Sequence, residues 1–189
     1  MSALVMPVCE LIHREMEKVL FPGAIAVDCT VGNGGDTVFL AKAVGEKGLV
    51  YGFDIQPLAL EKTAERLSAA GCADWVKLIC DGHEHLANYV KTEVDCAVFN
   101  LGYLPRGDHE IITKKETTVS ALETVLSLLR PGGAVFIALY WGHPGGEEER
   151  LAVESFAMGL AFSQWDVAET SFPNKNKAPL MMVIQKKLR

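Results

Sequence analysis

The sequence predicts an α/β protein: a seven-stranded, mostly parallel sheet with helices on both faces and a C-terminal antiparallel β-hairpin. Three observations predict it. Short apolar runs alternate with helix-patterned segments, as parallel strands joined by crossover helices require. The tail breaks that alternation: SQWDVAETSF and LMMVIQKK read as strands with only PNKNKAP between them, which suits antiparallel pairing. Finally, 189 residues, 49% of them hydrophobic and 22% charged, suffice for one well-packed domain but not for two ordinary ones. A single domain over residues 1–189 is expected, with residues 1–22 forming an N-terminal helical segment that packs on the sheet.

The elements follow in order. Apolar and charged residues recur at helical spacing over residues 6–20. The first strand covers residues 24–29, and a turn with three glycines leads into a helix over 36–44. Residues 49–53 form the second strand and 57–70 the next helix, opened by Pro57 at its first turn. A third strand (75–80) is followed by a short helix (83–90), and a fourth strand (94–99) runs into NLGYLPRGDHE. The helix over 116–129 stops at Pro131-Gly132-Gly133, where the fifth strand (134–140) follows. After the loop WGHPGG, a helix over 147–160 leads to the hairpin.

Composition narrows the setting. No apolar run approaches the ~18–20 residues that span a bilayer. The start, MSALVMPVCELIHREMEK, lacks the layout of a secretory signal, so a cytoplasmic protein without a membrane partner is expected. Five scattered cysteines, with no CxxC pair, argue against a disulfide framework and against zinc. The net charge of −6 runs against the basic balance usual in nucleic-acid binders, although Lys114-Lys115 and Lys175 with Lys177 form local clusters. No GxSxG, HExxH or P-loop pattern appears, which removes support from hydrolases and NTPases.

In open α/β sheets ligands bind outside the carboxyl ends of the strands, near the switch point, and the polar clusters fall there. After the first strand, DCTVGNGGD places Gly32 and Gly34 for a tight turn, while Asn33 and Gly35 tolerate positive φ. After the second, FDIQ puts Asp54 twenty residues beyond Gly34, where an acid accepts from both ribose hydroxyls of an adenosine; the alternative is a helix N-cap. Gln56 is close enough to assist. After the third comes CDGHEH: Gly82 and His83 suit an adenine edge and His85 the surface, and no third distant ligand supports a metal. After the fourth, NLGYLP offers Asn100 and Tyr103: the ring can stack on a base, and the alternative is a strand cap and a core tyrosine. His143 in YWGHPGG reads as a proton acceptor or as a loop-ordering residue, and Arg106, Lys114 and Lys115 as phosphate contacts. A Rossmann-like sheet whose last strand is reversed suits methyl transfer better than dinucleotide binding. No cysteine follows the fourth or fifth strand as a cytosine-C5 nucleophile, so the acceptor is a nitrogen or oxygen.

Taken together, DCTVGNGGDT, YGFDIQ, the histidine after the third strand, FNLGYLPRGD and YWGHPGG resemble one group. The chain resembles class I S-adenosylmethionine-dependent methyltransferases. More narrowly it resembles a bacterial family first filed as rRNA methylases and associated with tRNA 5-aminomethyl-2-thiouridine methylation. The segment NLGYLP is similar to the (D/N)PPY motif of amino-group methyltransferases, with Leu-Gly in place of Pro-Pro, which implies that the Asn100 amide accepts from a substrate amine and aligns it. The resemblance spans residues 20–186 and implies S-adenosyl-L-methionine as cofactor, tRNA (its anticodon region) as partner, and a homodimer. It implies that Asn33 and Gly35 hold the methionine end, Asp54 and Gln56 the ribose side, and Gly82 with His83 the adenine. Gly35 stands where many relatives carry His, and Gly82 where Ser is common.

Overall fold

The computed structural model describes residues 6–102 and 112–188 of the chain. Seven strands form one sheet: β1 (Ile25–Asp28), β2 (Leu49–Phe53), β3 (Val76–Ile79), β4 (Val94–Leu101), β5 (Leu129–Leu139), β6 (Trp165–Thr170) and β7 (Leu180–Lys186). Their order is β3-β2-β1-β4-β5-β7-β6, with only β7 antiparallel to its neighbours. The chain leaves β1 for β2 on one side and returns to β4 on the other, so the switch point lies between β1 and β4.

Alternation along the strands separates two cores. Val135, Ile137 and Leu139 of β5 face one side, Ala134, Phe136 and Ala138 the other. The first face is covered by α4 (Lys115–Leu128) and α5 (Gly146–Met158), through residues such as Leu122, Val125 and Val153. The second is covered by α1 (Val8–Met16), α2 (Gly35–Val44) and α3 (Pro57–Ala69). In α1 the buried set is Val8, Leu11, Ile12 and Met16, one helical stripe, packed in the same core as Phe136 and Met181. Burial of such side chains stabilises by roughly 1.5–3 kcal/mol each, which is what anchors the helix. No helix among the described residues is long and apolar enough to cross a membrane.

Several boundaries differ from the sequence expectation. The opening helix is shorter, Val8–Met16, and the third strand is trimmed to Val76–Ile79 because Trp75 closes a 3₁₀ turn. The segment after it, His83–Asn88, is also 3₁₀. The largest shift is at β5, which starts at Leu129 rather than at Ala134. Between the pairs Val94↔Leu129 and Cys96↔Ala134, residues 130–133 bulge opposite the single residue Asp95. Glycine is needed there: a Cβ on Gly133 would lie 2.8 Å from the Asp95 carbonyl oxygen. The Asp95 carboxylate ties the bulge down, accepting from Ile25 N–H at 2.8 Å and from Arg130 Nη1 at 3.3 Å.

Candidate active site

The carboxyl ends of β1, β2 and β4 open into a cleft of about 830 Å³. That volume is in the range of small-molecule sites, ~300–1,000 Å³. Asp28, at the end of β1 and fully buried, accepts from Thr37 Oγ1 at 2.6 Å and from Thr30 N–H at 3.1 Å, next in sequence to Cys29, which lines the cleft. Burial, reinforced by the charge of Asp36, pushes the Asp28 acid up to about 7.

The glycine turn follows. Left-handed backbone falls on Gly32 (φ 52°) and Gly34 (φ 77°), not on Asn33 or Gly35. At Gly34 no side chain fits, since a Cβ would come within 2.5 Å of Thr63 Oγ1. At Gly35 a Cβ would meet nothing within 4 Å, so that position opens into the cleft. Asp54 organises the turn from β2: Oδ2 accepts Gly32 N–H at 2.8 Å and Oδ1 accepts Gln56 N–H at 2.9 Å. Each carboxylate oxygen keeps a second lone pair for a ligand hydroxyl. Asn33 lines the cleft while its carbonyl accepts from Arg66 Nη1 at 2.5 Å.

Beyond β3, Gly82 N–H donates to the Asp81 carboxylate at 2.8 Å, and Asp81 also accepts from His85 and from Tyr89. Glu84 covers Gly82: its carboxylate oxygen would sit 2.3 Å from an added Cβ, so a serine there would have to displace it. His83 turns inward, away from Gly82. Its Nδ1–H donates to the Cys29 carbonyl at 3.0 Å and its ring meets Phe99 edge-on at 5.7 Å, which sets it at the switch point beneath the cleft. Burial lowers its basicity, keeping the ring neutral, and Nε2 is a buried acceptor without a partner among the described residues.

At the end of β4, Asn100 N–H donates to Thr30 Oγ1 at 2.6 Å. Its side-chain amide donates from Nδ2 to Asp36 Oδ2. Asp36 Oδ1 in turn accepts from His13 Nε2–H of α1 at 2.5 Å. His13 lies flat on Phe39, with centroids 4.1 Å apart. Asn100 Oδ1 has no hydrogen-bond partner among the described residues, and Asn100, Asp36 and His13 all line the cleft.

Gly102, just past β4, and Thr113 are joined by two hydrogen bonds. Gly102 N–H donates to Thr113 Oγ1 at 2.9 Å, and Thr113 N–H returns to the Gly102 carbonyl at 3.0 Å. Thr113 Oγ1 then donates to Glu149 Oε2 at 2.7 Å, and Thr118 Oγ1 to Glu149 Oε1 at 2.6 Å, with Glu149 only 2% exposed. Tyr103 and Arg106 lie outside the described residues. His143 lines the cleft, with Nδ1–H on the Pro144 carbonyl at 3.0 Å and Nε2 3.6 Å from where a Gly102 Cβ would be. Lys114 and Lys177 line the cleft, whereas Lys115 points at Glu148, 3.7 Å away. Cys29, Cys72 and Cys96 are buried, Cys9 and Cys80 exposed, and all are free thiols.

The structure thus brings Asn33, Gly35, Asp54, Gln56, Gly82, His83, Asn100 and His143 to one cleft. Sequence reasoning missed His13, Asp36 as the partner of Asn100, and Glu149. Position in the glycine turn GNGGDT is the available signal for Asp36, which stands in the first turn of α2 directly behind the glycines.

The donor set fits an adenosyl cofactor: a carboxylate at the end of β2, an open backbone position at Gly35, and an orphaned buried acceptor on His83. Comparison with known proteins gives the same direction. The family described as "Putative rRNA methylase" matches residues 50–186. The chloroplastic tRNA (mnm(5)s(2)U34)-methyltransferase of Arabidopsis thaliana is 38% identical over 188 residues, covering 94% of this chain and 69% of that protein. A solved "putative rRNA-methylase" from Clostridium thermocellum superposes with a TM-score of 0.95 at 39% identity, covering 97% of this chain and 100% of that one. A "putative methyltransferase" from Streptococcus mutans, solved in complex with SAH, gives 0.89 at 37% identity, covering 97% of this chain and 99% of that one. The cleft at the switch point, the reversed last strand and these matches converge: the chain belongs to the rRNA methylase family of S-adenosylmethionine-dependent methyltransferases.

Proposed function

We propose that this RNA methyltransferase methylates the aminomethyl nitrogen of 5-aminomethyl-2-thiouridine at the tRNA wobble position. The observation that carries the reading is the side-chain orientation of Asn100. Its NH2 group is committed to Asp36, so Oδ1 is the atom left to accept a hydrogen bond from a substrate amine. Similarity to the plant tRNA enzyme along nearly the whole chain supports the same acceptor.

S-adenosylmethionine, when bound, would supply a methyl group activated by its positively charged sulfur, with S-adenosylhomocysteine leaving as the N–C bond forms and the S–C bond breaks. For this the chain contributes position and alignment. Asn33 and the open backbone at Gly35 receive the methionine end, Asp54 and Gln56 the ribose, and Gly82 with His83 the adenine side. Asn100 Oδ1 orients the amine, and Tyr103 stacks on the base. An alkylamine attacks only when neutral, and His143, which lines the cleft, is assigned to take its proton. Lys114 and Lys177, on the cleft wall, meet backbone phosphate.

The test is transfer of labelled methyl to bulk tRNA from cells lacking the protein, beside ribosomal RNA, followed by nucleoside identification. Label in 5-methylaminomethyl-2-thiouridine is expected. Label confined to ribosomal RNA would overturn the substrate and retain the reaction. Asn100→Ala is expected to lower turnover by about 100-fold, the order seen when a reacting group loses alignment. Its affinity for S-adenosylhomocysteine should stay within about threefold of the parent, since Asn100 is assigned to the amine; a matching loss of affinity would move Asn100 to the cofactor.

A further inference from the structure

The hydrogen bonds around Asn100 extend into an element that the reading above does not use. Asn100 Nδ2–H donates to Asp36 Oδ2, and Asp36 Oδ1 accepts from His13 Nε2–H at 2.5 Å. His13 is brought there by α1, from the opposite end of the described chain to the strand that closes the sheet. Resting on the assignment of Asn100 to the substrate amine, we infer that His13 is a positioning residue: through Asp36 it fixes which end of the Asn100 amide faces the cleft.

The chemistry of the three groups supports this. An asparagine amide is nearly symmetric in shape, and only hydrogen bonding decides whether O or NH2 points at a ligand. An NH2 turned toward the amine would oppose its N–H bonds instead of accepting them. Asp36 selects the productive orientation because a carboxylate only accepts. Asp36 is itself a side chain with freedom to rotate at the first turn of α2, and one oxygen bonded to Asn100 does not fix its plane. The second bond, from His13, does. His13 is held in turn by its stack on Phe39, with rings 4.1 Å apart and 9° from parallel, and α1 by its buried stripe. The chain of restraint therefore runs from the core through an aromatic stack to the amide.

The design separates hydrogen bonding from packing. His13→Phe keeps a flat ring on Phe39 and removes the N–H. His13→Gln removes the ring and keeps an N–H donor of similar reach. If His13 positions Asn100, His13→Phe loses about 10- to 100-fold in turnover at saturating RNA and cofactor, with KM for both little changed, and His13→Gln recovers most of that loss. A merely structural role predicts the reverse, with Phe tolerated and Gln damaged, and would overturn the inference.

A second readout needs no substrate. The Asn100 side-chain amide resonances, assigned against Asn100→Ala, should shift in His13→Phe and return toward the parent in His13→Gln. Unchanged resonances in His13→Phe overturn the inference whatever the activity. Should the parent protein methylate no RNA, the proposed substrate fails, and the amide resonances alone decide the role of His13.

Discussion

Replacing Glu149 tests whether one buried carboxylate anchors the segment that leaves β4. Glu149 is 2% exposed and accepts from Thr113 Oγ1 at 2.7 Å and from Thr118 Oγ1 at 2.6 Å. In Glu149→Ala both hydroxyls lose their acceptor. Thr118 is fully buried, and orphaning its hydroxyl costs about 1–3 kcal/mol; Thr113 is half-buried, keeps the bond from Gly102 N–H and loses about one ordinary hydrogen bond, so the two together give about 3 kcal/mol. A protein of this size loses about 2–4 °C in Tm per kcal/mol, which makes the expected fall about 6–12 °C. Glu149→Gln keeps one acceptor oxygen, and its NH2 can donate to Thr113 Oγ1; about 1–2 kcal/mol is expected, close to one ordinary hydrogen bond. Thermal and urea unfolding give these values. Amide exchange adds a local reading, because Gly102 and Thr113 N–H groups bond each other's residue and should both exchange faster in the Ala variant. A fall under about 3 °C, or unchanged exchange at those two amides, would refute the anchoring argument.

Two further outcomes follow from Asp28 and the turn. Asp28 titrates near 7 in the folded chain against an ordinary 3.8, so between those values the folded state holds the extra proton and stability falls as pH rises through 7. Asp28→Asn should flatten that dependence in urea titrations between pH 4.5 and 8; equal slopes for both proteins would contradict the assignment. At the turn, Gly34→Ala should cost about 1–2 kcal/mol for its left-handed backbone. It also forces a Cβ to within 2.5 Å of Thr63 Oγ1, and S-adenosylhomocysteine should bind more weakly. Gly35→His, pointing into open space, should stay within about 0.5 kcal/mol of the parent and bind no worse. Calorimetric titration with S-adenosylhomocysteine separates the pair, and equal losses at both would reject the geometry given for the turn.

The alternation of apolar runs and the short PNKNKAP link made the sheet and its reversed end legible, because both are local properties of the chain. Asp54 was legible for a related reason: its spacing from the glycines reflects one crossover unit. The start of β5 was not. Pro131-Gly132-Gly133 reads as a stop, and only the pairing of Leu129 with Val94 shows that the strand has already begun and bulges. Glu149 was hidden in the run Glu147-Glu148-Glu149, where sequence marks an acidic helix start and packing alone decides that the third is buried. His13 was hidden in a helix that reads as a simple amphipathic element. Its importance comes from a contact with α2, twenty-three residues away, which no periodicity encodes. His83 was found by position, but its turn toward Cys29 depends on where β1 lies.

The placement of α1 has a consequence for the order in which the molecule is made. Its stripe packs in the core that includes Phe136 of β5 and Met181 of β7, and β7 comes last in the chain among the seven strands described. During translation the first helix therefore emerges without most of its docking surface and waits for nearly the whole sheet. Long-range closure of this kind is slow relative to local folding. Until it is complete, the glycine turn and Asp54 are present without the full packing of α1. The helix that carries His13 is in this sense secured late, by strands that follow it far along the chain.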